Sequence, residues 1–446
     1  MQLKGLKELG KSEIVRSVAT LSVGSVVSQL IPVLMSLVLA RLYTPQNYGD
    51  FGVFINCVGI LAVFVCGRYD YAIVRPEREV DALNLMALAA FIAVGVSLLT
   101  LAVFTVGTEL KIASLADFPC KYALPLMLLF MAAFQILSNY ALRHEKYKTI
   151  TVSNISKSIV QALVRTGLGL MHRGTGLITG AVAGWAGGCM AYASEIRNVG
   201  TLKRCFSWKR IGQLAVRYRD FPRYLMAGNL LNVLSTNLPV LLLAVFYAKE
   251  EIGYFSMSIS LLYLPVSFIS VALGQVFYKK ASSCSQEETN HIAVHFLAFT
   301  IVIGVLMFAL LWVGGEHMFV FLLGQEWGKV GLYSICLSPW LISVLCLSPL
   351  AWIFDARDKQ KTEMGLNLVM FLSRMAVILL GGYLRLSFVA MLLFYSSTGF
   401  LLWMLEGYFI GRTLQVRISV RWKVAVGGAI LLMILLWLLR IWWIFF

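Results

Sequence analysis

The chain has 446 residues, of which 59% are hydrophobic and 13% are charged, and its formal net charge is +16 at pH 7. About a quarter of the residues in an ordinary soluble domain are charged, so this composition excludes that class. Runs of 18 or more apolar residues are typical of membrane-spanning helices. The sequence therefore predicts an all-α polytopic membrane protein.

Thirteen apolar segments predict membrane-spanning helices. Residues 1–16 are polar and basic, and no small-residue cleavage site follows the first span, so we expect that span to be retained. The last segment is the weakest because Arg440 interrupts it. It crosses the membrane or lies partly in the interface, and we favour crossing. In chain order the predicted spans are residues 17–40, 51–67, 82–108, 122–142, 149–171, 174–194, 224–248, 252–278, 292–315, 330–354, 363–384, 386–406 and 424–442.

The distribution of basic residues predicts the orientation of these spans. With the N-terminus in the cytoplasm, 27 of the 38 Lys and Arg residues fall in cytoplasmic segments and eight in external ones. Lys and Arg concentrate in the cytoplasmic loops of membrane proteins, so we expect a cytoplasmic N-terminus. The basic excess then reflects topology, and no nucleic-acid partner is needed to explain it.

The longest polar segment, residues 195–223, separates the first six spans from the next six and contains eight basic residues. A weak repeat supports two halves: the segment from Ser28 to Leu34 is similar to the segment from Ser235 to Leu241, 207 residues later. Alternating-access transporters use such parallel repeats. We expect twelve core helices in two six-helix lobes around a central cavity, plus a thirteenth C-terminal helix. The predicted parts are an N-terminal lobe (1–194), a basic cytoplasmic connector (195–223), a C-terminal lobe (224–410) and a C-terminal segment (411–446).

Three cations lie inside predicted spans: Lys157 and Arg165 in the fifth, and Arg374 in the eleventh. A charge in the bilayer core costs several kcal/mol, so such residues usually face a water-filled path or a partner. The fifth and eleventh spans are equivalent in a six-plus-six repeat, and both cation types suit phosphate groups. We expect these residues to bind an anionic substrate. The alternative is that each cation pairs with a buried acid or a helix end.

Polar side chains accompany these cations. Asn154 and Gln161 fall within one arc of the fifth helix together with both cations, at about 100° per residue, and Asn367 is seven residues before Arg374. Asn229 and Asn232, in the seventh span, are three residues apart. They could contact sugar hydroxyls in a cavity or hydrogen-bond one helix to another.

Motifs for catalysis, metal binding or nucleotide hydrolysis are missing from the sequence. There is no G-x-S-x-G or Walker A sequence, the eight cysteines form no CxxC pair, and the external loops are short. We therefore expect neither an enzyme nor a cofactor or metal site.

Three segments carry a family resemblance. The stretch from Arg41 through Pro45 to Phe51 resembles the "ARxxxPxxYGxF" pattern, and residues 68–74 with Pro76 and residues 237–277 also match. Over roughly residues 12–410 the chain resembles the Wzx-type O-antigen and capsule flippases of the multidrug/oligosaccharidyl-lipid/polysaccharide exporter (MOP) superfamily. Arg75 departs from the apolar residue expected before Pro76, and the thirteenth span exceeds the usual twelve.

The resemblance implies a carrier in the bacterial cytoplasmic (inner) membrane. It would move an undecaprenyl-pyrophosphate-linked oligosaccharide to the periplasmic leaflet, with the pyrophosphate at the cavity cations and the tail in membrane lipid. Polysaccharide polymerase and assembly proteins are further implied partners. Asp70, Glu195 and Glu406 are candidates for ion coupling, although an Arg68–Asp70 ion pair that anchors the second span is the simpler interpretation of Asp70.

Three other functions remain open. A multidrug/cation antiporter of the same superfamily needs buried acids, whereas the mid-membrane charges here are positive. A membrane enzyme such as a polysaccharide polymerase needs external surface that the short loops do not supply. A non-transporting component of a polysaccharide assembly complex could use the basic connector to touch anionic lipid or a partner.

Overall fold

The computed structural model describes residues 28–32, 34–111, 117–193, 206–415 and 437–438. Within these ranges all regular elements are helical, so the all-α prediction is confirmed. The chain divides into two compact units, Met1–Leu241 and Leu242–Phe446. The lobe boundaries inferred from the sequence stay a prediction.

The first unit contains seven described helices and the start of an eighth. A 3₁₀ turn, Tyr71–Val74, links the second and third of them, and a short π-helical turn, Phe221–Leu225, leads into the eighth. The helices are α1 (Ser28–Leu39), α2 (Pro45–Leu61), α3 (Glu79–Glu109), α4 (Ala123–Arg143), α5 (Tyr147–Leu170), α6 (Gly176–Met190), α7 (Trp208–Arg217) and α8 (Met226–Phe246).

The described residues of the second unit form five long helices. Among them α11 is largely buried, because α9, α10 and α13 all pack against it. Helix α10 breaks at Gly315, whose φ of +42° is a left-handed backbone conformation that glycine adopts without a steric cost. The helices are α9 (Lys249–Ser283), α10 (Gln286–Leu323), α11 (Gly328–Ala351), α12 (Gln360–Tyr383) and α13 (Phe388–Leu414).

Eight helical stretches in the described residues are long and apolar enough to cross a membrane. This confirms a polytopic membrane protein. Helix α5 is not among the eight, because its polar face lowers its hydropathy, yet its bounds agree with the predicted span 149–171 to within two residues. The predicted thirteenth span, 424–442, lies outside the described residues except for positions 437 and 438.

Helix starts differ from the predicted spans where a capping signal precedes the apolar run. Helix α2 begins at Pro45, six residues before the predicted start, because the Thr44 side chain accepts a hydrogen bond from the backbone N–H of Asn47 and proline is favoured in the first turn. Helix α10 likewise begins before residue 292, at a capping box formed by Ser285 and Glu288. Hydropathy marks the apolar part of a helix, whereas caps mark its end.

The closest packing in the first unit is between α5 and α6. Gly180, Gly184 and Gly188 recur every four residues on α6, so they share one face of the helix. A Cβ atom at Gly184 would lie 3.0 Å from the backbone oxygen of Lys157 and 2.8 Å from the Cβ of Gln161. The missing side chains therefore allow α6 to approach the cation-bearing helix directly.

We expect Gly184→Ala to lower the Tm of the purified protein, because the added methyl group must push α5 and α6 apart. The matched control is Gly167→Ala on α5, where a Cβ atom would meet nothing within 4 Å. Alanine is favoured over glycine in a helix by about 1 kcal/mol, so this control should keep or raise the Tm. Thermal unfolding in detergent measures both variants, and a Tm for Gly184→Ala at or above that of the parent would contradict the packing described here.

Candidate functional site

Lys157 lies between two aromatic rings. Its Nζ atom is 4.2 Å from the centroid of the Trp185 ring on α6 and 5.1 Å from that of Phe134 on α4. The two rings meet edge to face, with centroids 5.0 Å apart. Within the described residues the ammonium group forms no ion pair and no hydrogen bond. The rings thus stabilise a cation that lacks an anionic partner.

Arg165 is held by more contacts than Lys157 and is only 8% exposed. Its Nε donates to the backbone oxygen of Leu177 on α6 at 3.1 Å, and its Cζ lies 4.6 Å from the centroid of the Phe51 ring. The side-chain oxygen of Gln161, with the amide oriented to face the guanidinium, accepts from both terminal nitrogens at 2.7 and 2.8 Å. All these partners are neutral, so the hydrogen bonds are satisfied while the charge is not neutralised.

Polar contacts between α5 and α6 fix the orientation of the cation-bearing face. The Ser153 hydroxyl donates to the backbone oxygen of Gly188 at 2.6 Å, and the Ser156 hydroxyl donates to that of Gly187 at 3.2 Å. The Tyr43 hydroxyl also donates to the backbone oxygen of Arg165 at 2.7 Å. These bonds bring the α6 backbone against α5 and place Trp185 over Lys157.

The second unit contains the same kind of arrangement around Arg374. Its Cζ lies 4.7 Å from the centroid of the Trp340 ring on α11 and 5.8 Å from that of Tyr395 on α13. The two rings meet edge to face at 5.6 Å. The Nε of Arg374 is buried without a hydrogen bond, and no carboxylate in the described part of the chain forms an ion pair with this side chain.

The predicted polar residues fall into two groups. Gln161 contacts Arg165 directly, and Asn154 lies on the same helix but donates to the backbone oxygen of Ile150 at 3.1 Å. Asn229 is half-buried, whereas Asn232 and Asn367 are exposed. Of the five, only Gln161 touches one of the three cations in the described residues.

The aromatic partners were not found by sequence reasoning. Phe134, Trp185, Trp340 and Tyr395 come from helices other than those that carry the cations, so no local spacing connects them to Lys157 or Arg374. The available signal was the presence of aromatic residues near the middle of the fourth, sixth, tenth and twelfth spans.

The acidic candidates differ in their surroundings. Glu406 on α13 is 4% exposed, and its Oε2 atom has no hydrogen-bond partner among the described residues. The Glu406 carboxyl interacts electrostatically with Glu363 and Arg374. Glu195 lies outside the described residues.

Asp70 precedes the 3₁₀ turn and is 2% exposed. Burial raises the pKa of this carboxyl above its ordinary value of 3.8, and the positive charge of Arg68 opposes that rise. The predicted Arg68–Asp70 ion pair is not formed within the described structure. Instead, the Nη1 of Arg68 donates to the hydroxyl of Tyr71 at 3.4 Å and its guanidinium lies over the Tyr71 ring.

We expect Arg165→Met to lower the Tm of the purified protein more than Lys157→Met does. The arginine change leaves the Leu177 carbonyl and the Gln161 amide without their partner, and a buried unsatisfied polar group costs about 1–3 kcal/mol. The lysine change removes a cation held by aromatic rings and leaves no hydrogen-bonding group unpaired. Equal losses of Tm in the two variants would contradict this division between the cations.

We expect Asp70→Asn to raise the Tm at pH 7. Because the folded-state pKa of Asp70 is raised, the native state binds a proton more readily than the unfolded state, and its stability falls as the pH rises from 3.8 through the folded-state pKa. The gain in the variant should therefore shrink as the pH approaches 3.8. The control is Asp117→Asn at an exposed position, and a Tm gain independent of pH would argue against burial of the charge as its cause.

Comparison with solved structures shows the fold. An inward-facing multidrug resistance MATE family transporter of the MOP superfamily has a TM-score of 0.66 and 10% identity, covering 90% of this chain and 100% of that chain. The lipid II flippase MurJ has a TM-score of 0.64 and 15% identity, covering 94% and 97%. A MOP superfamily transporter from Pyrococcus furiosus has a TM-score of 0.56 and 12% identity, covering 90% and 95%. The chain thus has the fold of MOP-superfamily transporters.

Comparison with families agrees with the fold. No curated protein matches the sequence. The model of a family described as "Polysaccharide biosynthesis protein" matches residues 38–331, which is more than half of the chain. Together with the MOP-type fold, this match confirms the resemblance to polysaccharide flippases inferred from the sequence motifs. The chain belongs to the polysaccharide biosynthesis protein family.

Proposed function

We propose that the protein is a flippase for an undecaprenyl-pyrophosphate-linked oligosaccharide, an O-antigen or capsule repeat unit. It moves this lipid by alternating access from the cytoplasmic to the periplasmic leaflet of the bacterial inner membrane, with its own N-terminus in the cytoplasm. Family membership and the transporter fold support the general class. The charge inside the helices supports the anionic lipid substrate.

The observation that carries this proposal is the shared surroundings of Lys157 and Arg374. Each cation sits over a pair of aromatic rings, and neither forms an ion pair with a described carboxylate. A cation–π contact stabilises a cation by about 0.5–2 kcal/mol, whereas burial of a charge costs several kcal/mol. The cation–π contacts therefore do not offset the whole cost of burying the charge, and binding of an anion would offset the rest. A pyrophosphate group supplies such an anion.

The three cations have different roles in this proposal. Lys157 and Arg374 contact the pyrophosphate or acidic sugars directly, because their charged groups have donors to spare. Arg165 contributes its charge while it holds α5 against α6 through Leu177. Asn154, Gln161, Asn229, Asn232 and Asn367 contribute the polar surface for the sugar hydroxyls. Glu406, Asp70 and Glu195 are the candidate residues for ion coupling.

One observation favours a second candidate, a cation antiporter. Glu406 is buried on the helix next to α12, and one of its carboxylate oxygens has no hydrogen bond in the described structure. A buried acid of this kind could bind a transported cation or a proton. Drug resistance conferred by the parent on overexpression and lost in Glu406→Gln would support the antiporter. In the flippase, Glu406→Gln would slow polysaccharide export without affecting drug resistance.

We expect the parent protein to restore surface polysaccharide in a bacterium that lacks its own flippase and makes a matching repeat unit. Lys157→Ala and Arg374→Ala should reduce that polymer at least about tenfold at equal membrane levels, because each removes an anion-binding group worth about 1.5–3 kcal/mol. Arg165→Ala should also reduce it, together with the amount of folded protein. Export is measured by quantifying the extracted polymer.

Matched controls lie on the same two helices. Lys148→Ala at the start of α5 and Lys361→Ala at the start of α12 remove exposed charges, so both should export as the parent does. Lys157→Arg and Arg374→Lys retain the charge and should keep part of the activity. If all alanine variants export normally, the cations do not bind the substrate; if the parent itself fails, the antiporter or a non-transporting assembly component accounts better for the chain.

A further inference from the structure

A second positively charged site lies outside the membrane-spanning part of the first unit. A cleft of about 510 Å³ is bounded on one side by the loop before α3 and on the other by α7. Four arginines line it, Arg75, Arg78, Arg210 and Arg217, together with the two acids Glu77 and Asp81. The cleft lies at the start of α3, which the sequence predicts to be on the cytoplasmic side, and no residue of α5 lines it.

The loop wall of this cleft is held in one shape by Arg143 of α4. The guanidinium of Arg143 donates to the backbone oxygens of Ile73, Val74 and Pro76, and at 3.2 Å to that of Glu77. Its Nε forms an ion pair with Glu79 at 3.1 Å. One partly buried arginine therefore bonds to the backbone oxygens of four residues between positions 73 and 77, and the side chains of Arg75 and Arg78 are exposed on the cleft side.

The helical wall is held equally firmly. Arg210 forms an ion pair with Asp81 of α3 at 2.5 Å, and the Ser207 backbone N–H donates to the Asn84 side chain at 3.1 Å. The Tyr69 hydroxyl donates to the backbone oxygen of Ala215 at 3.0 Å. Ile211 and Leu214 are buried on the face of α7 between these contacts, so α7 cannot leave α3 without exposing apolar side chains.

The pairing of charges leaves the cleft with a net positive charge. Asp81 is neutralised by Arg210, so Glu77 is the remaining acid that faces Arg75, Arg78 and Arg217. None of these three arginines forms an ion pair within the described residues. Three guanidinium groups on two fixed walls are suited to bidentate hydrogen bonds with phosphate oxygens.

The surroundings of the cleft indicate a ligand from the membrane. Trp208, at the start of α7, is 66% exposed and stacks on Phe91 of the membrane-spanning helix α3, with ring centroids 5.0 Å apart. Tryptophan is enriched at the boundary between headgroups and hydrocarbon. Arg210, two residues after Trp208, lines the cleft, and the residue of α3 that lines it is Asp81 in the first turn of that helix. An interfacial position of Trp208 would set the guanidinium groups at the level of lipid phosphates.

We propose that this cleft binds the phosphate group of a membrane lipid in the leaflet next to it. The ligand class covers anionic phospholipids and polyprenyl pyrophosphates, which present the same chemistry at the same depth. This proposal does not depend on the proposed transport activity, because an ordinary phospholipid could occupy the cleft. The bound phosphate group would contact arginines from both walls and so link the loop before α3 to α7.

The test uses the purified full-length chain in an uncharged detergent and isothermal titration calorimetry. The probes are a short-chain phosphatidylglycerol, farnesyl pyrophosphate and inorganic pyrophosphate. We expect at least one lipid probe to bind, and the triple variant Arg75→Gln/Arg78→Gln/Arg217→Gln to bind it at least about tenfold more weakly, a change equivalent to about 1.4 kcal/mol. The relative affinities of the two lipid probes identify the class of lipid preferred.

The matched control is Lys209→Gln/Arg219→Gln/Arg223→Gln, which removes the same charge from exposed positions of the same segment that do not line the cleft. It should bind within about twofold of the parent, since bulk charge contributes weakly to a specific site. Equal losses in the two triple variants, or no loss in the cleft variant, would overturn the proposal. Inorganic pyrophosphate binding as tightly as the lipid probes would overturn the assignment to a membrane lipid.

A single substitution tests the cleft with little risk that the variant fails to fold. Arg78 is exposed and its side chain forms no hydrogen bond or ion pair in the described structure, so Arg78→Gln should keep the parental Tm. It should still weaken binding of the lipid probe severalfold. Arg210 is left unchanged in all variants because its ion pair with Asp81 anchors α7. If a folded Arg78→Gln protein and the triple variant both bind the lipid probe as the parent does, the cleft is not the lipid-binding site.

Discussion

A positive charge within a membrane-spanning helix is the constraint on which the rest of this structure depends. A cation cannot leave water unless something replaces its hydration, and a carboxylate partner would remove its value for binding an anion. The protein uses aromatic faces instead: Trp185 and Phe134 around Lys157, and Trp340 and Tyr395 around Arg374. Aromatic quadrupoles stabilise the charge without neutralising it, so each side chain remains a net positive charge in its surroundings.

The two units reach this arrangement with helices in the same order. In each, the cation lies on the middle member of three helices, and the rings come from the helices before and after it: α4 and α6 in the first unit, α11 and α13 in the second. The ring positions 134 and 340 are 206 residues apart, and 185 and 395 are 210 apart. These offsets are close to the 207-residue offset of the sequence repeat.

The position of the cations within those helices is not the same. Helices α5 and α12 both have 24 residues. Lys157 is the eleventh residue of α5, Arg165 the nineteenth, and Arg374 is the fifteenth of α12. One unit thus carries two cations spaced about 12 Å along the helix at 1.5 Å per residue, and the other carries one, near the middle of its own helix. In the proposed flippase, an elongated anion such as a pyrophosphate with an acidic sugar would suit the spaced pair better than a compact one.

Hydropathy predicted which segments are helices, and charge predicted which of those helices carry the cations. Both could be read from the sequence because each depends only on residues that are consecutive in the chain. Helix ends at Pro45 and Gln286 were misplaced, because caps are polar features outside the apolar run. The aromatic partners could not be predicted, since contacts such as that between Lys157 and Trp185 depend on how three helices pack. The role of Arg143 was also hidden, because its acceptors in the loop at residues 73–77 are backbone oxygens, and no residue type marks them in the sequence.

Arg165 and Lys157 differ in how they are held on the same helix. An arginine has five donors, and those of Arg165 reach the Leu177 carbonyl and the Gln161 amide, so its side chain is fixed before any ligand arrives. A lysine ammonium has three donors on a flexible stem, and Lys157 is held by ring faces that accept no conventional hydrogen bond. In the proposed flippase, the fixed charge of Arg165 would attract an anion to the helix and Lys157, with its free donors, would bind it, so we expect that exchanging the two residue types would not preserve the site.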